Sequence, residues 1–259
     1  MSTVLFQNYR KMIEQAWIPI FVDDAFDTEI LLEGCRLAKL DVIEYTLRRK
    51  DAHRVVATLK SRLPDTVILM GSTLDSEEIV TERRSQFPQM MTLSELSPYV
   101  DGFVSMLPYS DEALQKYRNT HLCIPTAESG GEALRQVKAG ASIIKVLGPD
   151  LSLSKRLHAL PTFNYCPTYV TGGITVERME EAFSAGNILC ATGFDVLLKG
   201  IEPPALTPTL VAARIRTFVD AAMEARDRVH PCLKNTKGLS DEEFRAALPN
   251  YCGIRERSV

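Results

Sequence analysis

The order of its apolar segments constrains the possible folds of this chain more than any other feature. Short apolar, β-branched runs alternate with amphipathic stretches from about residue 18 to residue 198, and such alternation is typical of βαβ units on a parallel sheet. Eight runs in a chain of 259 residues favour a (β/α)8 barrel over an open doubly wound sheet. The predicted strands are IPIFV (18–22), VIEYTL (42–47), TVILMG (66–71), DGFVSM (101–106), HLCIP (121–125), SIIKVL (142–147), TYVTG (168–172) and ILCATG (188–193).

Two regions depart from this alternation. Residues 75–99 are too long for one barrel helix and contain Pro88, which predicts a helix, a break and a second short helix. Residues 231–259 exceed what a minimal barrel needs, and their segment SDEEFRAAL predicts a short helix, packed on the barrel or on a neighbouring subunit. We therefore expect a barrel with an N-terminal helix at 1–230 and a C-terminal extension at 231–259.

Composition and charge narrow the class of function. A formal net charge of −3 gives no basic footprint for nucleic acid or for an anionic membrane. No window approaches the roughly 20 apolar residues of a membrane span, and the first residues lack a signal-peptide pattern. The six cysteines and four histidines show no ligand spacing, so we expect reduced, mostly buried thiols and no metal site. A cytoplasmic protein that acts on a small molecule is the expectation.

The segment ASIIKVLGPD places Lys145 inside an apolar strand. Such a lysine either snorkels outward or points into the barrel, where loss of hydration would lower its pKa. A neutral amine in that position can condense with a ketone to form a Schiff base. The imine draws electrons from the neighbouring carbons, so that a C–C bond can be broken or made without a metal or an organic cofactor. A purely structural lysine is the alternative.

The second predicted strand carries two further candidates. Strict alternation puts Glu44 on the side opposite Ile43 and Tyr45, hence inside the barrel, where a carboxyl group needs a partner or a role in proton transfer. An ion pair with a nearby arginine is the alternative for Glu44. Arg48, four residues further on at the strand mouth, offers a planar fork of donors to a substrate carboxylate, or is a surface arginine.

Glycines and hydroxyl groups follow three of the other strands. TGGIT (171–175) exposes backbone N–H groups before a predicted helix, which suits phosphate or carboxylate, and strand seven is where many barrels bind phosphate. GSTLD places Ser72 and Thr73 after strand three, and PTAESGGE places Glu128 after strand five. Each of these segments could also be only a loop and a helix cap.

Taken together, IEYTLR, GSTL, IIKVLGPD and TGGIT resemble, in order and spacing, the motifs of the 2-keto-3-deoxy-6-phosphogluconate / 4-hydroxy-2-oxoglutarate aldolases over about residues 18–198. The resemblance implies a homotrimeric (β/α)8 barrel. It also implies a metal-independent class I aldolase that cleaves a 2-keto-4-hydroxy acid to pyruvate, or a glyoxylate-type product, and an aldehyde. Neither a metal nor a cofactor is implied.

The same resemblance assigns roles to residues of this chain. Lys145 is the implied Schiff-base lysine, Glu44 the acid/base that works through a water, and Arg48 the anchor of the substrate carboxylate. Ser72 assists at that carboxylate, and Thr73 beside it is taken as a further substrate contact. The residues implied at the distal or phosphate end of the substrate are Thr171, Gly172 and Gly173.

This chain departs from the family pattern at several of these sites. The aromatic pair and proline that usually follow the lysine are replaced by VLGP. Tyr169 and Val170 intervene between CPT and TGG, which are continuous in the family. The serine that touches phosphate after strand eight is replaced by Phe194, whose bulk argues against a phosphorylated substrate.

Three functions are therefore weighed. The leading one is a Schiff-base aldolase that acts on a pyruvate-derived 2-keto acid through Lys145. The second is a non-catalytic barrel that binds a small anion, with the extension at 231–259 as an interaction element. The third is another phosphate-binding barrel lyase or isomerase, in which Lys145 is only an electrostatic contact. The aldehyde half, its phosphorylation and the role of Glu128 are left open.

Overall fold

Eight parallel strands alternate with helices in the computed structural model, which describes residues 3–148, 150–159 and 166–249. The strands are β1 (Trp17–Phe21), β2 (Val42–Thr46), β3 (Val67–Thr73), β4 (Gly102–Ser105), β5 (Leu122–Ile124), β6 (Ile144–Leu147), β7 (Thr168–Thr171) and β8 (Leu189–Gly193). All eight predicted strands are confirmed, with ends that differ by one or two residues.

The helices follow the strands in the expected order. Residues 75–99 form two short helices on either side of Pro88, as predicted. The α-helices are α1 (Thr3–Gln15), α2 (Thr28–Ala38), α3 (Ala52–Arg62), α4 (Glu77–Arg83), α5 (Leu93–Leu96), α6 (Asp111–Tyr117), α7 (Gly130–Ala139), α8 (Ser152–His158), α9 (Met179–Ser184), α10 (Phe194–Leu197), α11 (Pro208–Val229) and α12 (Asp241–Ala247).

The sheet closes on itself. Strand order is β5-β4-β3-β2-β1-β8-β7-β6, with every pair parallel. The two edge strands then meet, because the N–H of Lys145 donates to the carbonyl of Pro125 at 2.8 Å and the N–H of Ala127 donates to the carbonyl of Lys145 at 3.2 Å. The predicted (β/α)8 barrel is confirmed, and in such barrels functional groups gather at the carboxyl ends of the strands.

Two apolar cores follow from the two-residue alternation along each strand. Ile43, Tyr45, Ile144 and Val146 belong to the core between the sheet and the surrounding helices. Lumen-facing residues, among them Tyr169, form a second core together with apolar residues of α1. Several outer helices begin at a side-chain cap, as in α2, where the side chain of Asp27 accepts from the first N–H groups.

The amino end of the barrel is covered by α1. Its apolar residues Phe6, Tyr9 and Met12 are buried in the lumen core. The side chain of Gln15 donates to the carbonyls of Trp17 and Val42, each at 2.8 Å, and so ties the helix to the starts of β1 and β2. The predicted N-terminal helix is thus part of the barrel and seals its amino end.

The predicted helix in SDEEFRAAL is present as α12. Ser240 begins it with a capping box that Glu243 completes. Phe244 is fully buried and meets Phe6 of α1 edge-on, with ring centroids 6.0 Å apart. Of the two alternatives for this helix, contact with the barrel's own N-terminal helix is therefore observed. Residues 250–259 lie outside the described part of the chain.

Four cysteines are buried, as the sequence predicted: Cys35, Cys123, Cys166 and Cys190. Cys232 is exposed, and Cys252 lies outside the described residues. Within residues 3–148, 150–159 and 166–249, no helix has the length and apolarity needed to cross a bilayer. In the same ranges, no group of three or more histidine, cysteine and acidic side chains could hold a metal ion.

Candidate active site at the carboxyl ends of the strands

Lys145 points into the barrel from β6. Its strand neighbours Ile144 and Val146 face the helices, so alternation turns the lysine to the lumen, where it is 3% exposed. Nζ lies 3.6 Å from the thioether sulfur of Met106, a weak acceptor. Burial lowers the pKa of Lys145, the charge of Glu44 raises it, and that of Arg48 lowers it again. The net effect is a lowered pKa, which makes the neutral amine more available.

Glu44 points from β2 into the lumen, as Lys145 does from β6, and is 1% exposed. Its Oε2 accepts a hydrogen bond of 2.7 Å from the hydroxyl of Tyr169 on β7. Its Oε1 fills the space that a side chain at Gly71 would need, since a Cβ placed there would lie 2.3 Å away. The predicted lumen position is observed, but the partner of the carboxylate is a tyrosine and not an arginine.

The two adjacent arginines after β2 differ in their surroundings. Arg49 is buried and donates to the hydroxyls of Tyr45 and Thr28, at 3.0 and 2.6 Å, so it is a structural residue. Arg48 is exposed and has no ion-pair partner among the described residues. Its side chain lines the same cavity as Lys145. The guanidinium of Arg48 is therefore available to an anion.

Ser72 and Thr73 point in different directions. Ser72 has a left-handed backbone (φ 59°), and the pairing of β3 with β4 shifts register between Gly71 and Thr73. This irregularity brings Ser72 to the cavity. Thr73 is fully buried, with its hydroxyl 2.5 Å from that of Tyr109 and donating to the carbonyl of Val104 at 3.1 Å. Thr73 therefore does not line the cavity, because its hydroxyl is buried and bonds to Val104 and Tyr109 instead.

The end of β7 forms another wall of the cavity. Gly172 and Gly173 both have positive φ, 96° and 69°, which a side chain would strain. Thr171 precedes them and is buried. All three predicted residues line the cavity.

The end of β8 differs from the expectation. Phe194 turns into the helix-facing core, with its ring centroid 4.8 Å from that of Phe21, and does not line the cavity. The next residue, Asp195, does line it. The Oδ1 atom of Asp195 folds back over Gly193, where an added Cβ would lie 2.1 Å from it. The structure thus corrects the role given to Phe194: the residue at this wall is a carboxylate, not an aromatic ring.

The cavity has a volume of about 190 Å³ and opens at the carboxyl ends of the strands. Glu128 is exposed and lies outside its lining, which answers the question left open for that residue. A larger open groove of about 790 Å³ runs beside α2 and α3, but it contains none of the lumen residues. The residues that line the cavity are Ile20, Val22, Glu44, Thr46, Arg48, Ser72, Met106, Lys145, Leu147, Thr171, Gly172, Gly173, Gly193, Asp195 and Val196.

Three residues of the site were not predicted from the sequence: Tyr169, Asp195 and Met106. For Tyr169 a signal existed, because alternation along β7 places it on the same side as Thr171. For Asp195 and Met106 no comparable signal existed, since both follow a strand end, where the two-residue period stops.

Comparison with known proteins extends the description of the fold. No family model and no curated protein matches the chain. Among solved structures, it is similar to the 2-keto-3-deoxy-6-phosphogluconate (KDPG) aldolase from Legionella pneumophila with pyruvate captured as a covalent carbinolamine (17% identity, 82% of this chain, 97% of the other, TM-score 0.58).

Two further matches have other descriptions. One is a cube-shaped protein cage designed by fusing symmetric oligomeric domains (18% identity, 82% of this chain, 74% of the other, TM-score 0.60). The other is thiamine phosphate pyrophosphorylase from Pyrococcus furiosus (12% identity, 81% of this chain, 98% of the other, TM-score 0.55). Similarity at this level of identity shows the shared barrel fold, which hosts more than one reaction.

Proposed function

We propose that this chain is a class I aldolase that cleaves a 2-keto-4-hydroxy acid to pyruvate and an aldehyde through a Schiff base on Lys145. The observation that best supports this proposal is the position of Lys145. The lysine is buried in the lumen, its pKa is lowered, and Glu44 and Arg48 line the same cavity. The motif resemblance and the similarity to the Legionella aldolase, which is described with covalently captured pyruvate, support the same chemistry.

The reaction begins at the ketone. The neutral Nζ of Lys145 adds to C2, and the carbinolamine takes up one proton from solvent and loses water to give a protonated imine. Glu44 then accepts the proton of the C4 hydroxyl, the C3–C4 bond breaks, and its electron pair moves toward the imine to form an enamine while the aldehyde leaves. The proton held by Glu44 moves to C3, and water hydrolyses the resulting protonated pyruvate imine, which restores the neutral amine and returns one proton to solvent.

The rest of the cavity orients the substrate. Arg48 is the proposed anchor of the C1 carboxylate, since guanidinium and carboxylate match as a bidentate pair, and the hydroxyl of Ser72 adds a donor at that end. The backbone around Gly172 and Gly173 is then left for the distal half of the substrate.

We also propose that the protein works as a homotrimer in the cytoplasm. The trimer rests on the motif resemblance, and it is in keeping with the similarity to a cage built from symmetric oligomeric domains. Light scattering after size-exclusion chromatography measures the assembly directly. A monomer would count against the trimer without touching the chemistry proposed for Lys145.

Trapping with pyruvate and borohydride tests the mechanism. Reduction of the imine should add the mass of pyruvate less one oxygen atom, and peptide mapping should place the adduct on Lys145. Omission of either pyruvate or borohydride is the control. An adduct on another lysine, or none on the folded protein, would contradict the Schiff-base mechanism. It would favour a barrel that binds anions or one that runs another reaction.

A further inference from the structure

We propose that Tyr169 is a positioning residue that holds the carboxylate of Glu44 in one orientation for proton transfer, which rests on the proposed aldol chemistry. The side chain crosses the lumen from β7 to β2, and its hydroxyl donates to Oε2 of Glu44 at 2.7 Å. In the sheet, Tyr169 is the direct partner of Lys145. Tyr169 therefore lies beside the proposed nucleophile in the sheet and donates a hydrogen bond to the proposed acid/base group.

One oxygen of the Glu44 carboxylate is hydrogen-bonded and the other is packed against Gly71. Tyr169 bonds Oε2, while Oε1 occupies the place left free by the missing side chain of Gly71. Tyr169 is fully buried, so this hydrogen bond does not compete with bulk water.

The chemistry of the phenol suits this role. Burial, and then the charge of Glu44, raise the pKa of Tyr169 well above its ordinary value, so the hydroxyl stays protonated and donates at every working pH. A donor to the charged form of a carboxyl group stabilises that form. The other charged or titratable groups around Glu44 are Lys145 on β6, Arg48 beyond the end of β2, and buried Tyr109 after β4.

The direct test is the NMR resonance of the Glu44 carboxyl carbon at one fixed pH, assigned by its loss in Glu44→Gln. In Tyr169→Phe, loss of one charge-assisted hydrogen bond should move this resonance. Because the carboxylate is then free to turn, kcat should fall by about tenfold or more, while pyruvate is still trapped on Lys145 by borohydride. The NMR result does not depend on turnover, so its outcome is separate from that of the borohydride test.

Tyr45→Phe is the matched control. The hydroxyl of Tyr45 also donates to a carboxylate at 2.7 Å, that of Asp51, but on the helix side of β2. Its loss should lower the melting temperature without moving the Glu44 resonance or kcat. If Tyr169→Phe does not fold, Tyr169→3-fluorotyrosine keeps the shape and strengthens the donor, and should also move the Glu44 resonance. An unchanged resonance in the folded Tyr169 variant, or an equal change in Tyr45→Phe, would overturn the proposal.

A different observation concerns the distal end of the site. We infer that Asp195 selects substrates whose distal group is a hydroxyl or a cation and not a phosphate, given that the keto acid occupies the Lys145 end. The only cationic side chains in the described lining of the cavity are Lys145 and Arg48, and both serve the pyruvate half. The carboxylate of Asp195, without a hydrogen bond or ion pair to any described residue, stands at the β8 wall. A phosphate there would meet a like charge.

Two non-reacting probes test this selection, glycerate and 3-phosphoglycerate, which share a carboxylate end and differ by the distal phosphate. Calorimetry should show tighter binding of glycerate to the unmodified protein. Asp195 is exposed, so Asp195→Asn should move the ratio of the two dissociation constants about fivefold toward 3-phosphoglycerate, as expected for one like charge in contact with solvent. Glu128→Gln removes an equal charge outside the cavity and should leave the ratio unchanged. Tighter binding of 3-phosphoglycerate to the unmodified protein, or an unmoved ratio in Asp195→Asn, would overturn the inference.

Discussion

Lys145→Arg should lower kcat/KM by about 10⁴-fold or more and abolish the borohydride adduct. Arginine keeps the positive charge and most of the length of the side chain, but it remains protonated at any working pH and cannot add to a ketone. An electrostatic role would survive this change, whereas a Schiff-base role would not. Pyruvate release, followed with a coupled reductase, measures the loss, and circular dichroism confirms that the variant is folded.

Lys50→Arg is the matched control for that change. Lys50 is exposed, follows the same strand end as Arg48 and does not line the cavity, so its replacement should leave pyruvate release within about twofold. Substantial turnover by folded Lys145→Arg would assign the lysine to simple charge stabilisation. In that case the chain would belong with the other phosphate-binding barrel enzymes.

Glu44→Gln should lower kcat by about 10²- to 10⁴-fold, the usual contribution of one general acid/base group. Glutamine keeps the volume and can still accept the hydrogen bond from Tyr169, so the change removes the proton acceptor and little else. Glu128→Gln, an exposed carboxyl outside the cavity, is the control and should retain its activity. A folded Glu44→Gln with unchanged kcat would show that another group moves the proton.

The same variant separates proton transfer from imine formation. Because the charge of Glu44 raises the pKa of Lys145, its removal should lower that pKa. At a given pH below the pKa, a larger share of the lysine is then neutral, so trapping with pyruvate should extend to lower pH even though turnover is lost. Labelling that instead required higher pH would reverse the assigned sign of this interaction.

The sequence predicted those parts of the site that regular strands determine. Glu44 and Lys145 lie within strands, where the side of the sheet follows from counting by two. Glu44 was placed in the lumen correctly, and of the two orientations left open for Lys145 the structure shows the one into the lumen. The barrel itself followed from the order of the apolar runs. In each case a local pattern carries the information, because a parallel barrel repeats one geometry eight times.

The remaining parts depend on geometry that no local pattern encodes. A register shift in β3 and the left-handed backbone of Ser72 turn Ser72 toward the cavity and Thr73 away from it. Asp195, and not Phe194, meets the cavity because α10 begins directly at the end of β8. The contact of Tyr169 with Glu44 joins residues 125 positions apart, so it depends on barrel closure as well as on strand alternation. Strand ends and cross-lumen contacts are therefore the places where structural information was needed.

The sealing of the amino end by α1 also bears on the order of events. Phe6, Tyr9 and Met12 fill that end, so within residues 3–148, 150–159 and 166–249 the cavity opens only at the carboxyl ends of the strands. Pyruvate, covalently held on Lys145, would occupy the inner position and the aldehyde the outer one. Cleavage would then release the aldehyde first, and the reverse condensation would have to load pyruvate before its partner.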